Sequence, residues 1–204
     1  MTVEGIEGSG KSTLLAGLAA RFRSCGDDPL VTREPGGTPL GDAVRAIFLE
    51  RATAISPLTE ALLINAARAQ HVSDAIRPAL EAGRIVLCDR YVDSTLAYQG
   101  YGRGLALDDL RSLCDVATGG LEADVTLLVD VPVDVSRART RSRGRPVDRL
   151  ESEDEPFHAR VRSGYLELAR SPRHCVLDGT LPPDDVLELA LRGLHERLRR
   201  PSPA

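Results

Sequence analysis

Gly5-Ile6-Glu7-Gly8-Ser9-Gly10-Lys11-Ser12 satisfies G-x-x-x-x-G-K-[ST] at every fixed position. Glycines let a backbone curl until successive N–H groups point inward at phosphate oxygens, and a helix that follows adds the partial positive charge of its N-terminus. The lysine reaches the β- and γ-phosphates, and the hydroxyl after it can hold Mg²⁺. The flanks agree: Thr2–Glu4 is a short extended run, and Leu14, Leu15, Leu18 and Phe22 fall on one face of a helix. Of the 26 basic residues only Lys11 is a lysine, so the one lysine of the chain stands where the motif needs it. A glycine-rich turn that merely resembles the motif would not require this context. Nucleoside triphosphate binding by Gly5 through Ser12 is therefore expected.

Working outward, extended runs alternate with helical patterns. Pro29–Thr32 is a second extended run, and Leu40, Val44, Ile47 and Phe48 return to helical spacing. A long helical pattern covers about Thr59 to Ala82, bent by Pro78 and closed by Gly83. Arg84–Asp89 and Val125–Asp130 are continuous apolar runs, as expected of strands covered by helices on both faces. Asp108 reads as the N-cap of a helix carrying Leu110, Leu113 and Ala117, and another helix starts at about Pro132. His174–Leu177 is a last strand and Leu187 to Leu198 a last amphipathic helix, with Pro201–Ala204 expected to fray. The order βαβα predicts an α/β fold of the P-loop NTPase type: an open parallel sheet of about five strands flanked by helices, with right-handed crossovers and a small lid. The first strand is short, as though clipped at its start.

Composition narrows the classes. The chain has 204 residues, 42% hydrophobic and 27% charged, which suits one domain spanning residues 1–204 and not a disordered chain. No apolar run approaches the roughly 20 residues that span a bilayer, and the first residues carry no apolar leader, so a cytoplasmic protein without a membrane partner is expected. Four separated cysteines read as reduced, mostly buried thiols. A net charge of −4 argues against a nucleic-acid partner.

What is done with the phosphate depends on other segments. A guanine-reading N-K-x-D needs a second lysine, which the chain lacks. Motor and transporter ATPases normally bring further domains. A small kinase fits, and three polar segments offer an acceptor pocket: Thr32-Arg33-Glu34-Pro35-Gly36-Gly37-Thr38, Asp89-Arg90-Tyr91, and Ser94-Thr95-Leu96-Ala97-Tyr98-Gln99-Gly100. All three follow strands, and ligands of open α/β sheets bind beyond the carboxyl ends of strands. An aspartate at a strand end can hold Mg²⁺ and an adjacent arginine can grip a phosphate. Singly, Glu-Pro-Gly-Gly reads as a turn, Asp-Arg as a surface ion pair and Tyr98 as core.

Taken in order, GxEGxGKST, TREPGGT, DRY and STxAYQG resemble the bacterial thymidylate kinases over essentially the whole chain. The resemblance implies a nucleoside monophosphate kinase that passes the γ-phosphoryl group of ATP to dTMP with Mg²⁺, and a homodimer packed through helices that include residues 59–82. It implies roles for Glu7 near acceptor and metal, Asp89 with Ser12 on the metal, and Arg90 on the phosphate. Arg68 matches an arginine at the thymine edge, Glu34 and Pro35 belong to the acceptor loop, and Pro35 packs on the base. Ser94, Thr95, Tyr98 and Gln99 match the wall of the thymidine pocket, where Tyr98 crowds a 2′-hydroxyl. Ile64 stands where the family commonly stacks a phenylalanine, which leaves dUMP as a rival acceptor. A nucleotide-binding regulator without catalysis is the rival from another class, and intact Lys11, Ser12, Asp89 and Arg90 speak against it.

Six arginines, Arg137, Arg139, Arg141, Arg143, Arg145 and Arg149, crowd a stretch broken by Gly144 and Pro146. Such a stretch is often a solvated surface. In a phosphotransferase a mobile loop of this kind excludes water and brings positive charge to the moving phosphoryl group. Gly8 stands where some relatives place a basic P-loop residue, and the resemblance assigns the catalytic arginine to a lid at about residues 137–151. Arg141 and Arg149 are the expected candidates, and Asp148 and Glu151 complete the matched pattern.

Overall fold

The computed structural model describes residues 1–144 and 147–198. Arg145, Pro146 and the tail expected to fray lie outside the described residues. Five parallel strands, β1 (Thr2–Glu4), β2 (Leu30–Arg33), β3 (Val86–Asp89), β4 (Thr126–Asp130) and β5 (His174–Asp178), form one sheet in the order β2-β3-β1-β4-β5. β1 is only three residues long, yet it lies at the centre, with Val3 opposite both Asp89 and Leu127. Being flanked on both sides satisfies its backbone groups, so shortness does not expel it.

Helix α1 (Lys11–Ser24) covers one face of the sheet together with α9 (Pro183–Leu198). Their Leu14, Leu18, Val186, Ala190 and Leu194 pack on Val3, Leu127 and Val129. On the other face Ile6, Phe48, Ile64, Tyr98, Leu128, Phe157, Val161 and Tyr165 form a second cluster. Phe48 comes from α2 (Pro39–Leu49) and Ile64 from α3 (Pro57–His71). The three C-terminal residues of this cluster belong to α8 (Glu155–Leu168).

The long helical segment is interrupted. α3 passes into a π-helical turn, Val72–Ile76, before α4 (Arg77–Glu81). Pro78 in the first turn of α4 explains this, since proline has no N–H and clashes with the carbonyl four residues earlier; a widened turn relieves both. A second widened segment, Leu96–Gly102, follows α5 (Val92–Thr95).

One expectation needs correction, and one helix was not foreseen. Asp108 does not cap its helix: α6 (Leu107–Thr118) starts one residue earlier, and Asp108 lies in its first turn, bonded to Arg111. α8 was not anticipated from the acidic run before it. Asp154 is its N-cap, with Oδ1 accepting the Phe157 N–H at 2.8 Å, an arrangement worth about 1 kcal/mol. Helix α7 (Val133–Ser142) carries the first arginines of the expected lid, so that segment begins as ordered helix. Among the described residues no helix is long and apolar enough to cross a membrane.

Candidate active site

The P-loop joins the end of β1 to the start of α1. A Cβ on Gly5 would lie 2.4 Å from the Val129 carbonyl oxygen, and one on Gly8 would lie 2.5 Å from that of Ser136. Both have positive φ, so these positions have neither the conformational freedom nor the space for a side chain. Lys11 Nζ donates to the carbonyls of Gly5 and Ile6, each at 3.0 Å. Burial, and next Arg90, lower the lysine pKa to about 8 against the pull of Asp89, Glu7 and Glu4.

Asp89 ends β3 beside this loop. Its Oδ2 accepts the Ser12 hydroxyl at 3.4 Å, while its buried Oδ1 has no hydrogen-bond partner. A carboxylate with one orphaned oxygen and the other beside a hydroxyl is the hard oxygen donor set that a divalent cation takes.

Arg90, the next residue, adopts φ 73°, a left-handed conformation that costs a non-glycine residue on the order of 1–3 kcal/mol. Among the described residues it is the only such non-glycine. Its guanidinium is over-determined in return. Nη2 donates to Glu7 Oε1 at 2.9 Å and to the Tyr98 hydroxyl at 3.3 Å; Nη1 donates to Ser94 Oγ at 3.2 Å and to the Tyr165 hydroxyl at 3.0 Å. Tyr98 in turn donates to Glu7 at 2.6 Å. Burial raises the Glu7 pKa, but Arg90, Lys11 and Tyr98 together outweigh it and hold the carboxyl below its ordinary value. Behind this array Glu4, fully buried, is pushed up to about 7 by burial first and then by Asp93. His158, missed in the sequence, sits with Nδ1 buried and unbonded, 3.9 Å from Glu7.

The Thr32–Thr38 loop is held from behind. Glu34, 3% exposed, accepts Arg68 Nε at 2.7 Å and lies 3.0 Å from His71 Nδ1. Burial lowers the Arg68 pKa and Glu34 more than reverses this. Arg68 also donates to Asn65 and to the Tyr91 carbonyl, leaving little of its guanidinium unspoken for. The Cys88 thiol lies within 4.8 Å of the Glu34 and His71 ligand atoms. It donates to the Arg90 carbonyl, and His71 Nε2 is shared with Thr32, so these groups are already employed within the protein. The four cysteines are free thiols, three of them buried.

One cleft brings most of the expected residues together: Glu7, Gly8, Lys11, Ser12, Glu34, Pro35, Ile64, Arg68, Asp89, Arg90, Ser94, Tyr98 and Gln99 all line it. Thr95 does not; it is fully buried beside the Cys114 thiol. Gln99 reaches Glu60 through Nε2, and its buried Oε1 has no partner. Phe48, not singled out in the sequence, adds an aromatic ring to the wall next to Ile64. A second groove lined by Gly8, Gly10, Arg139, Arg143, Gly179 and Pro183 opens on the other side of the P-loop.

The arginines separate by helical period. Arg137 and Arg141, four apart, line a hollow with Glu7 and His158; Arg139 and Arg143, also four apart, line the second groove. Arg139 is engaged, donating to the Ser9 and Gly179 carbonyls, whereas Arg143 lines both the groove and the main cleft. Arg149 lies apart from the P-loop cleft: it is bonded to Glu60 and to the Phe48 carbonyl, with its guanidinium over the Phe48 ring. Glu60, fully buried, also holds Arg103 and was not foreseen.

Residues 3–190 match the family profile described as thymidylate kinase. A thymidylate kinase of Thermomicrobium roseum is 54% identical over 202 residues, covering 98% of this chain and 96% of the relative. One of Deinococcus radiodurans is 53% identical over 188 residues, covering 91% of each. The crystal structure of thymidylate kinase from Ehrlichia chaffeensis superimposes with a TM-score of 0.77 at 32% identity, over 95% of this chain and 96% of that one.

Proposed function

The chain belongs to the thymidylate kinase family and is a phosphotransferase that uses ATP, and from that premise we propose that the main cleft passes the γ-phosphoryl group of ATP to dTMP, giving dTDP and ADP on the route to dTTP. The observation that carries this reading is the Arg90 guanidinium, fixed between Glu7 and Ser94 in the same cleft as Lys11.

Arg90 binds the acceptor phosphate and Lys11 neutralises the β- and γ-phosphates, so both reactants are held in line while charge develops on the moving group. Ser12 and Asp89 fit an Mg²⁺, given the orphaned Asp89 Oδ1. When bound, that ion supplies charge neutralisation between the phosphates. Pro35, Ile64 and Phe48 form the apolar walls for the base, with Arg68 and the free Oε1 of Gln99 at its edge. Tyr98, locked on Glu7, closes the sugar side. The adenosine end occupies the groove by Gly179. Gly8 has no space for a side chain, which supports supply of the transferring charge by the lid at about residues 137–151. Arg143 is in reach there, Arg141 approaches from the Glu7 side, and Arg149 would have to leave Glu60.

ADP release with ATP and Mg²⁺ against dTMP, dUMP, dCMP, AMP and GMP tests the acceptor. Strong turnover with dTMP alone is expected, because Phe48 restores aromatic area that Ile64 lacks. Equal turnover with dUMP would withdraw the thymine-specific pocket, and silence with every acceptor would favour a regulator.

The protein is further proposed to act in the cytoplasm as a homodimer. On α3, Leu58 and Leu62 are 58% and 50% exposed, and with Ala66 and Ala69 they form an apolar stripe; Val116 on α6 is 83% exposed. A second copy of this chain covering that face removes it from water. Leu62→Asp is expected to convert the dimer to monomer in sedimentation velocity. Unaltered mass, or a monomeric parent protein, would refute the interface.

A further inference from the structure

We propose that Tyr165 is a positioning residue for phosphoryl transfer, aligned by Glu4 so that its hydroxyl oxygen, together with that of Ser94, fixes the Arg90 guanidinium. The Tyr165 hydroxyl donates to Glu4 Oε2 at 3.0 Å, and the Ser94 hydroxyl donates to the same oxygen at 2.6 Å. The two hydroxyl oxygens also lie 2.8 Å from each other, so with Glu4 Oε2 they form one hydrogen-bonded triangle whose two hydrogens stay inside it, leaving lone pairs to face Arg90 Nη1. Arg90 meets them at 3.0 and 3.2 Å. The other Glu4 oxygen accepts the Tyr91 N–H at 2.7 Å, which fixes the carboxylate itself. Glu7 orients one guanidinium nitrogen of Arg90 from the P-loop, while Glu4 orients the other through two hydroxyls.

This arrangement links elements far apart in sequence. Tyr165 stands on α8, the helix that follows the lid segment, and its ring meets Tyr98 edge-on at 6.2 Å. α8 thereby sets the arginine that receives the acceptor phosphate. The sequence held no signal for this, because a tyrosine at helical spacing reads as core.

The inference rests on Arg90 binding the acceptor phosphate, so the test carries that assignment as its own arm. Steady-state kinetics are compared for wild type, Tyr165→Phe, Arg90→Lys and the double variant, with Tm measured for each. Phenylalanine keeps the ring in its cluster and removes only the hydroxyl. Tyr165→Phe is expected to lower kcat/KM for dTMP about tenfold, as for loss of one hydrogen bond to a charged group, with KM for ATP unchanged. Lysine cannot bridge both anchors, so Tyr165→Phe is expected to add no further loss on the Arg90→Lys background. Unchanged kinetics in Tyr165→Phe, equal losses toward both substrates, or additive losses in the double variant would overturn the positioning role. Wild-type dTMP kinetics in Arg90→Lys would overturn the Arg90 assignment and this inference with it.

Discussion

Lys11→Ala is expected to cut kcat by about a hundred- to a thousandfold, the about 2.7–4 kcal/mol typical of removing one preorganised donor from a developing charge. The lysine is the first residue of α1, at the bottom of the loop, and its ammonium now rests on the Gly5 and Ile6 carbonyls. Those bonds hold it in place at about the separation a phosphate oxygen would take over. No second lysine exists to substitute for it, and the two arginines beside the loop are committed, Arg90 to Glu7 and Ser94 and Arg139 to backbone carbonyls. The loop conformation is set by Gly5 and Gly8, so the fold persists and Tm should change little. The same residue predicts a pH dependence. Its pKa is lowered to about 8, and only the protonated ammonium attracts phosphate, so ATP affinity should weaken as pH rises through about 8. In Lys11→Ala that inflection should vanish. Isothermal titration of ATP across this range, with a coupled assay of ADP release, checks both statements; undiminished turnover would refute the assigned role.

The parts of this site legible in the sequence are those whose chemistry is local. Glycines that must curl, the lysine after them and the strand-end Asp89-Arg90 announce themselves because function fixes neighbouring residues in one order. Continuous apolar runs between helical patterns likewise predicted a five-strand parallel sheet, since β3 and β4 are buried on both faces. What stayed hidden is long-range. Glu60 reads as one more helical glutamate until Gln99, Arg103 and Arg149 converge on it. Tyr165 and His158 lie on a helix masked by the acidic run that caps it. The arginine-rich segment reads as a single patch, yet the helical period turns Arg137 and Arg141 one way and Arg139 and Arg143 the other. Arg149 matched a lid pattern, whereas its burial over Phe48 depends on a glutamate 89 positions away.

The second large effect is on stability, and it comes from the acceptor loop. Glu34→Gln is expected to cost about 3–5 kcal/mol, because it leaves the buried Arg68 charge without its counter-charge. For a domain of this size that corresponds to a fall in Tm of roughly 6–20 °C. The pair is 1% and 3% exposed, at 2.7 Å, so neither solvent nor a neighbouring acid can take over. Two effects compete in the wild type: desolvation of two ions and their mutual attraction. Such pairs contribute little net stability, while breaking them is expensive. Replacing both partners with apolar residues, Glu34→Leu with Arg68→Met, is therefore expected to recover most of the Tm lost in Glu34→Gln. The same double variant should still fail to bind dTMP, since Arg68 lines the cleft and the loop bearing Pro35 is anchored through Glu34. Thermal unfolding followed by circular dichroism, with dTMP titration of each variant, separates these outcomes. An unchanged Tm in Glu34→Gln would mean that Arg68 is not held by this carboxylate. Recovery of dTMP binding in the double variant would mean that the ion pair serves neither the loop nor the base, leaving Ile64, Phe48 and Gln99 to select the acceptor.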